Sequence, residues 1–262
     1  MKRILTILAA SAALCACGPR LVILHTNDTH SHLDPLRDGT GGVIERAAFV
    51  DSVRKAEGPG KVLLLHAGDF NQGTSYYTQL HGTLEVEMIN ALKYDAVTLG
   101  NHEFDNGIED LTARVKNIKC PVVCANLDLS SFELGEYVKP WCIVRKGGMK
   151  IGIIGLEADI SANVARTISS RIPQLDPVEE VNKWSDYLRN TEKCDMVILL
   201  SHQGYGEDQK NVAGMRGIDL VVGGHSHTFV DDFVYSEDLD GKPVPIITDG
   251  CWGIEMGMVK VY

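Results

Sequence analysis

Ala96-Val-Thr-Leu-Gly-Asn-His-Glu-Phe-Asp105 is the stretch around which the rest of the chain is organised. A short apolar run of strand character ends at Gly100, whose backbone freedom permits a sharp turn, and Asn101 and His102 follow at once. The same pattern recurs along the chain. Leu21-Val-Ile-Leu24 leads to Asp28 and His30, Val62-Leu-Leu-Leu65 to Asp69, Met196-Val-Ile-Leu-Leu200 to His202, and Asp219-Leu-Val-Val222 to His225 and His227. Each run delivers a side chain able to ligate a metal. In an α/β sheet the strand ends converge on one crevice, so these recurrences predict a single site.

With 262 residues, 44% of them hydrophobic, the chain is long enough for one large domain with a substantial core. The formal net charge of −10, more acidic still without Lys2 and Arg3, argues against a protein that binds nucleic-acid backbone, which needs a basic face. An anionic substrate would meet the same repulsion unless bound divalent cations supplied local positive charge. Beyond the leader and Cys17, the cysteines are Cys120, Cys124, Cys142, Cys194 and Cys251; their number is odd and none has zinc-ribbon spacing. Buried thiols are the expectation, with no disulfide assigned.

Outward from the opening stretch, Gly41-Gly42 is expected to open a helix from Val43 to about Lys55, with Val43, Ala47, Val50 and Arg54 at helical spacing and Gly58-Pro59-Gly60 as its stop. Phe70 to Gly82 is expected as a loop, Glu85 to Leu92 as a short helix, and Ile108 to about Lys116 as another. Cys120 to Leu127 is expected as a strand. Lys146-Gly-Gly-Met149 is turn chemistry between two strands, which predicts a hairpin. Asp176 is expected to cap a helix from Pro177 to Arg189, and Phe229 to Tyr262 alternates short strands with turns. The class is α/β, with enough strands for two stacked sheets.

The candidate ligands are Asp28, His30, Asp69, Asn101, His202, His225 and His227. Imidazole and carboxylate together suit Mn, Fe or Zn rather than an all-oxygen calcium cage. Seven donors exceed one tetrahedral site and fit two ions sharing a bridging carboxylate. Taken singly, each motif has an ordinary reading: Asp28-x-His30 as an Asx turn, Gly68-Asp69 as a common turn, His202 as a satisfied core histidine. Their joint occurrence decides for a metal site. His25, His32, His66 and His81 are expected to pack or lie at the surface.

Asp28-x-His30, Gly68-Asp69, Gly-Asn101-His102-Glu, His202 and Gly-His225-x-His227, in this order, resemble the calcineurin-like metallophosphoesterases. Leu24-His-Thr-Asn-Asp-Thr-His-Ser31, Gly68-Asp-Phe-x-x-Gly-Thr74 and Thr98 to Asp105 are similar, more narrowly, to the N-terminal catalytic domain of the 5′-nucleotidase family. The resemblance covers residues 21–262. It implies a four-layer α/β/β/α sandwich and two divalent metal ions. One would be held by Asp28, His30, Asp69 and His227, the other by Asp69, Asn101, His202 and His225. His102 would be a catalytic non-ligand oriented by Asp105, and Asn101 with His102 would meet the substrate phosphoryl group. His227 stands where other members carry Gln.

The activity implied is hydrolysis of phosphate esters, 5′-nucleotides foremost, by water that the two ions activate. The alternatives are a 2′,3′-cyclic-nucleotide or other phosphodiesterase with the same site, and a binding or scaffold protein without catalysis. Full-length members carry a second, substrate-gripping domain, so a separately encoded substrate-binding protein is an expected partner. Tyr76, Tyr77 and Trp252 are expected as packing anchors rather than as a stacking face for a base.

Lys2 and Arg3 followed by an apolar run from Ile4 to Leu14 read as a secretory leader too short to span a bilayer. Leu14-Cys-Ala-Cys17 resembles a bacterial lipobox, which would make Cys17 a lipid-carrying residue. The expected division is 1–16 as lipoprotein signal peptide, 17–20 as lipid-anchored N-terminus and 21–262 as the catalytic domain, placed on the periplasmic or cell-surface side of a bacterial envelope.

Overall fold

The computed structural model describes residues 18–262, so the leader and Cys17 lie outside the described residues. From β1 (Leu21–Thr26) the chain runs through α1 (Val43–Glu57), β2 (Val62–His66), α2 (Ser75–Leu80), α3 (Thr83–Leu92), β3 (Ala96–Thr98), α4 (Ile108–Val115) and β4 (Val122–Val123). It continues through α5 (Leu134–Tyr137), β5 (Val138–Lys139), β6 (Trp141–Lys146), β7 (Met149–Glu157), α6 (Ile160–Asn163) and α7 (Arg166–Ser169). α8 (Pro177–Asp186), β8 (Met196–His202), α9 (Tyr205–Val212), β9 (Leu220–Val222), β10 (Val234–Glu237), β11 (Pro243–Ile247) and β12 (Gly257–Val261) complete it.

The strands form two six-stranded sheets, in the orders β12-β1-β2-β3-β4-β5 and β10-β11-β9-β8-β7-β6. β1 to β5 are mutually parallel, as are β7, β8, β9 and β11, while β12, β10 and β6 pair antiparallel at or next to the edges. Period-two alternation sorts each strand's side chains between two faces, and here both faces are buried. Leu21, Ile23, Leu63 and Leu65 point at the second sheet and meet Ile151, Ile153, Ile198 and Leu200. Val22, Leu24, Val62 and Leu64 pack with Val50 and Val53 of α1, Ile89 of α3 and Leu111 of α4. On the far side Val197, Leu199 and Val221 pack with Val181 of α8 and Val212 of α9. These three cores make four layers, helix on sheet on sheet on helix, as expected.

The 146–149 turn forms as read, with Gly147 (φ 59°) and Gly148 (φ 72°) both left-handed, the geometry a tight hairpin between β6 and β7 demands. Asp176 caps α8 by accepting from the Glu179 amide. Two expectations need correction. The 70–82 segment is not all loop: Thr74 accepts from the Tyr76 amide and nucleates α2. The strand expected over 120–127 shrinks to Val122–Val123, because the Ala125 amide leaves the first sheet to bond the Gly155 carbonyl of β7 at 2.8 Å.

Cys120, Cys124, Cys142, Cys194 and Cys251 are all unbridged. Burial pushes the Cys120 and Cys142 thiols up to about 12, which leaves them inert as nucleophiles. No helix among the described residues is long and apolar enough to cross a membrane.

Candidate metal centre

The loops after β1 and β2 keep the parallel ladder going past the strand ends: the Asp28, His30 and Ser31 amides donate to the carbonyls of Gly68, Asp69 and Phe70, each at 3.0 Å. To do so Asp28, His30, Ser31 and Asp69 adopt positive φ, as do His225 and His227 across the cleft. Left-handed backbone at non-glycine residues costs about 1–3 kcal/mol each and gathers where surrounding structure over-determines it. Of the eleven such residues described, five are expected ligands.

Two histidines have their tautomers fixed by backbone. His202 Nδ1 lies 2.6 Å from the Ala67 carbonyl and His30 Nδ1 lies 3.2 Å from the Asn71 carbonyl. Each donates its Nδ1 hydrogen there and turns Nε2 into the cleft, the atom that would ligate an ion. His202 Nε2 is buried and lies 3.1 Å from Asp69 Oδ2.

The remaining donors close around the same space. Asp28, His30 and His227 present ligand atoms within 4.8 Å of one another, and so do Asp69, His202 and His225. His30 Nε2 faces His227 Nε2 at 2.9 Å, and Asn101 Oδ1 lies 2.9 Å from His225 Nδ1. The His225 amide donates to Asp28 Oδ2 at 2.8 Å, which ties the second sheet's loop to the first sheet's carboxylate. Glycines make the approach feasible: a Cβ on Gly68 would fall 2.6 Å from His202 Nδ1, and one on Gly224 would lie 3.1 Å from Asp28 Oδ2. The donor set therefore fits a divalent metal centre. All seven expected ligands are brought to one place.

His102 stands beside this cluster. Its amide donates to Asp69 Oδ1 at 2.9 Å, and its Nδ1 lies 2.9 Å from Asp105 Oδ2. The hydrogen bond to Asp105 raises the His102 pKa above the ordinary imidazole value. Burial opposes charge on Asp69 and His202, but their mutual attraction prevails and holds the carboxylate ionised and the imidazole pKa high.

Reading the sequence missed a group that braces the centre. Glu103 accepts from the amides of Asp69 (2.9 Å), Asn71 (3.1 Å) and Gly100 (2.6 Å), joining the loops after β2 and β3. Burial, with the neighbouring Asp69 charge, pushes its carboxyl up to about 8. The signal was present in Gly-Asn-His-Glu, where a carboxylate follows directly on two site residues. His32 and Trp252, expected to pack or lie at the surface, instead line the cavity over the donors, which also includes Gln72, Gly73 and Asn163 and measures about 500 Å³. Tyr77 is buried and Tyr76 bonds Asp34, as packing anchors do. His25 and His66 are buried, against Asp249 and Thr29.

Residues 21–229 match the family described as calcineurin-like phosphoesterase. The chain belongs to that family. Calcineurin-like phosphoesterases are hydrolases that use divalent metals, and the donor clusters of this chain are of the kind they require. The chain is 36% identical to the 5′-nucleotidase of Bos taurus, over 98% of this chain and 49% of that protein. It is 34% identical to a snake venom 5′-nucleotidase of Naja atra, over 92% of this chain and 50% of that one. Among solved structures, a 5′-nucleotidase precursor from Thermus thermophilus superposes with a TM-score of 0.82 at 34% identity, over 91% of this chain and 50% of that chain. A Haemophilus influenzae NAD nucleotidase gives 0.81 at 29% identity, over 91% and 52%. The chain thus spans about half the length of the curated relatives it matches.

Proposed function

We propose that this phosphoesterase hydrolyses phosphomonoesters, with 5′-nucleotides as the preferred class, and that it does so with two divalent ions. The observation that carries this reading is the pair of ligand triads, Asp28-His30-His227 and Asp69-His202-His225, packed side by side with Asn101 against the second. Asp28, His30, Asp69 and His227 would hold one ion, and Asp69, Asn101, His202 and His225 the other, with Asp69 shared. Mn, Fe and Zn suit this mixture of nitrogen and oxygen. When bound, such a pair lowers the pKa of water and neutralises phosphoryl charge.

The chain's own groups do the rest. Asp105 accepts from His102 Nδ1, which orients the ring and favours its protonated form. The Nε2 hydrogen of His102 is then available to a phosphoryl oxygen or to the departing ester oxygen, general-acid assistance of the kind that contributes about 10²–10⁴-fold. Asn101, whose Oδ1 faces His225, would offer its amide nitrogen to the same phosphoryl group. His102 also lies within reach of His30 and Asp69; in this reading its Nε2 serves the phosphoryl group and not an ion.

The test is steady-state hydrolysis of AMP, 2′,3′-cyclic AMP and a small aryl phosphate, with manganese, zinc or chelator added. Metal-dependent turnover led by AMP supports the reading. Turnover led by the cyclic ester would replace it with a phosphodiesterase, and metal loading without any hydrolysis would replace it with a binding protein. Two further parts of the proposal concern the surroundings of the domain. Lipidation at Cys17 would hold it on a bacterial envelope; Cys17→Ser should release it from membrane fractions, and continued anchoring would remove that assignment. A separately encoded substrate-binding companion should be recovered by pull-down from native membranes, and its absence there would count against it.

A further inference from the structure

Trp252 differs from the other two tryptophans of the chain. Trp141 and Trp184 pack against each other and Tyr187, whereas Trp252 lines the cavity over the metal ligands and is 39% exposed. One indole face lies on the His32 imidazole, with ring centres 4.9 Å apart and planes within 20°.

The pair is held by backbone rather than by chance packing. Trp252 has φ 62°, left-handed geometry that a bulky side chain rarely adopts. Its amide donates to the Asp28 carbonyl at 2.6 Å. The buried Arg46 guanidinium spans the two loops that carry the stack: Nη1 donates to the Trp252 carbonyl at 3.4 Å and Nη2 to the His32 carbonyl at 3.2 Å. His32 Nδ1 in turn lies 2.8 Å from the His30 carbonyl. At Gly253 a Cβ would collide with Arg46, so the loop must pass this close to the guanidinium. A bulky aromatic is thus fixed, in a strained conformation, at the mouth of a site whose floor is metal ligands.

We propose that Trp252, backed by His32, is a stacking platform for the planar aromatic portion of the substrate, a nucleobase carried one sugar away from the reacting phosphate. The inference rests on the phosphomonoesterase reading above and adds to it an in-domain determinant of specificity. Aromatic stacking tolerates any base, because every base presents a π-face, and is worth roughly tenfold in affinity per stacked ring. An ester without a ring, such as ribose 5-phosphate, gains nothing from it.

The experiment uses the full chain and two variants. Trp252→Asn replaces the indole with a residue type that accepts left-handed backbone, so folding is not forfeited with the ring; Trp252→Phe keeps an aromatic surface. With metal present, the ratio of kcat/KM for AMP to that for ribose 5-phosphate should fall about tenfold in Trp252→Asn, mainly through KM for AMP. Trp252→Phe should recover much of it. With chelator present, adenosine should quench indole fluorescence of the wild type and not of Trp252→Phe. An unchanged ratio together with no adenosine quenching would overturn the platform. Absence of hydrolysis of either ester would overturn the phosphomonoesterase reading instead, and the quenching titration would still decide the platform.

Discussion

The two sheets meet the site with different chemistry. Strands β1, β2 and β3 of the first sheet end in Asp28 with His30, Asp69, and Asn101, whereas β8 and β9 of the second end in imidazoles alone, His202, His225 and His227. The carboxylates are buried, Asp28 at 0% and Asp69 at 2% exposure, while the His227 side chain is 41% exposed. The first sheet therefore supplies the deep negative charge that fixes cations. The second supplies imidazole nitrogens, and those of His225 and His227 wall the open side. Neither sheet carries a complete centre, so the site is a property of the packing between them.

That contrast breaks first at Asp69, the carboxylate expected to serve both ions. Asp69→Asn should weaken both metals together, lowering activity by more than the ~100-fold typical of losing an outer partner. Metal analysis by mass spectrometry is the check, and selective loss of one ion would argue against a shared ligand. His102→Ala, on the same sheet, should lower kcat by roughly 10²–10⁴-fold while metals stay bound; loss of metal would mean that His102 is a ligand. The pH profile sharpens this. The Asp105 hydrogen bond raises the His102 pKa, so the charged ring is present below that pKa and is lost as pH rises through it. Asp105→Asn should accordingly move the alkaline fall in kcat to lower pH.

Each sheet also has a buried carboxyl in support, and the two should respond differently. Glu103 gathers three amides around Asp69 on the first sheet, so Glu103→Gln should weaken metal binding by about 10–100-fold, measured by chelator competition. Asp208 supports the second, accepting from the Ser201 hydroxyl at 2.5 Å beside His202. Burial pushes Asp208 up to about 7, well above its unfolded value of about 3.9. The folded state binds that proton more tightly, so the stabilisation is full below about pH 3.9 and is lost as pH rises through about 7. Asp208→Asn, which mimics the neutral acid, should raise Tm by about 2–4 °C per kcal/mol gained, more at pH 8 than at pH 5. An equal gain at both would remove the titration as the cause.

The strand-end ligands were legible in the sequence because strand and ligand are adjacent in the chain. A run such as Met196 to Leu200 announces a buried strand, and the polar residue just beyond it must lie at the strand's end. The place of Trp252 at the cavity was not legible, for the converse reason. Its place depends on Arg46 and Asp28, both more than two hundred residues away, and an aromatic in a glycine-rich loop looks the same whether it packs or lines a cavity. Arg46 itself sits in α1 between Val43 and Val50, where helical spacing alone does not mark it as the buried clamp it is.

By itself the sequence determined the α/β class, the paired sheets, the candidate ligands and the kinship with phosphoesterases. All of these rest on local periodicity and on polar groups at fixed offsets from strands. Only the tertiary structure decided that both carboxylates are fully buried, that Glu103 braces Asp69, and that His32 and Trp252 form one face of the cavity. Those facts follow from contacts between segments far apart in the chain, whose geometry is set by how two twisted sheets and their covering helices pack together.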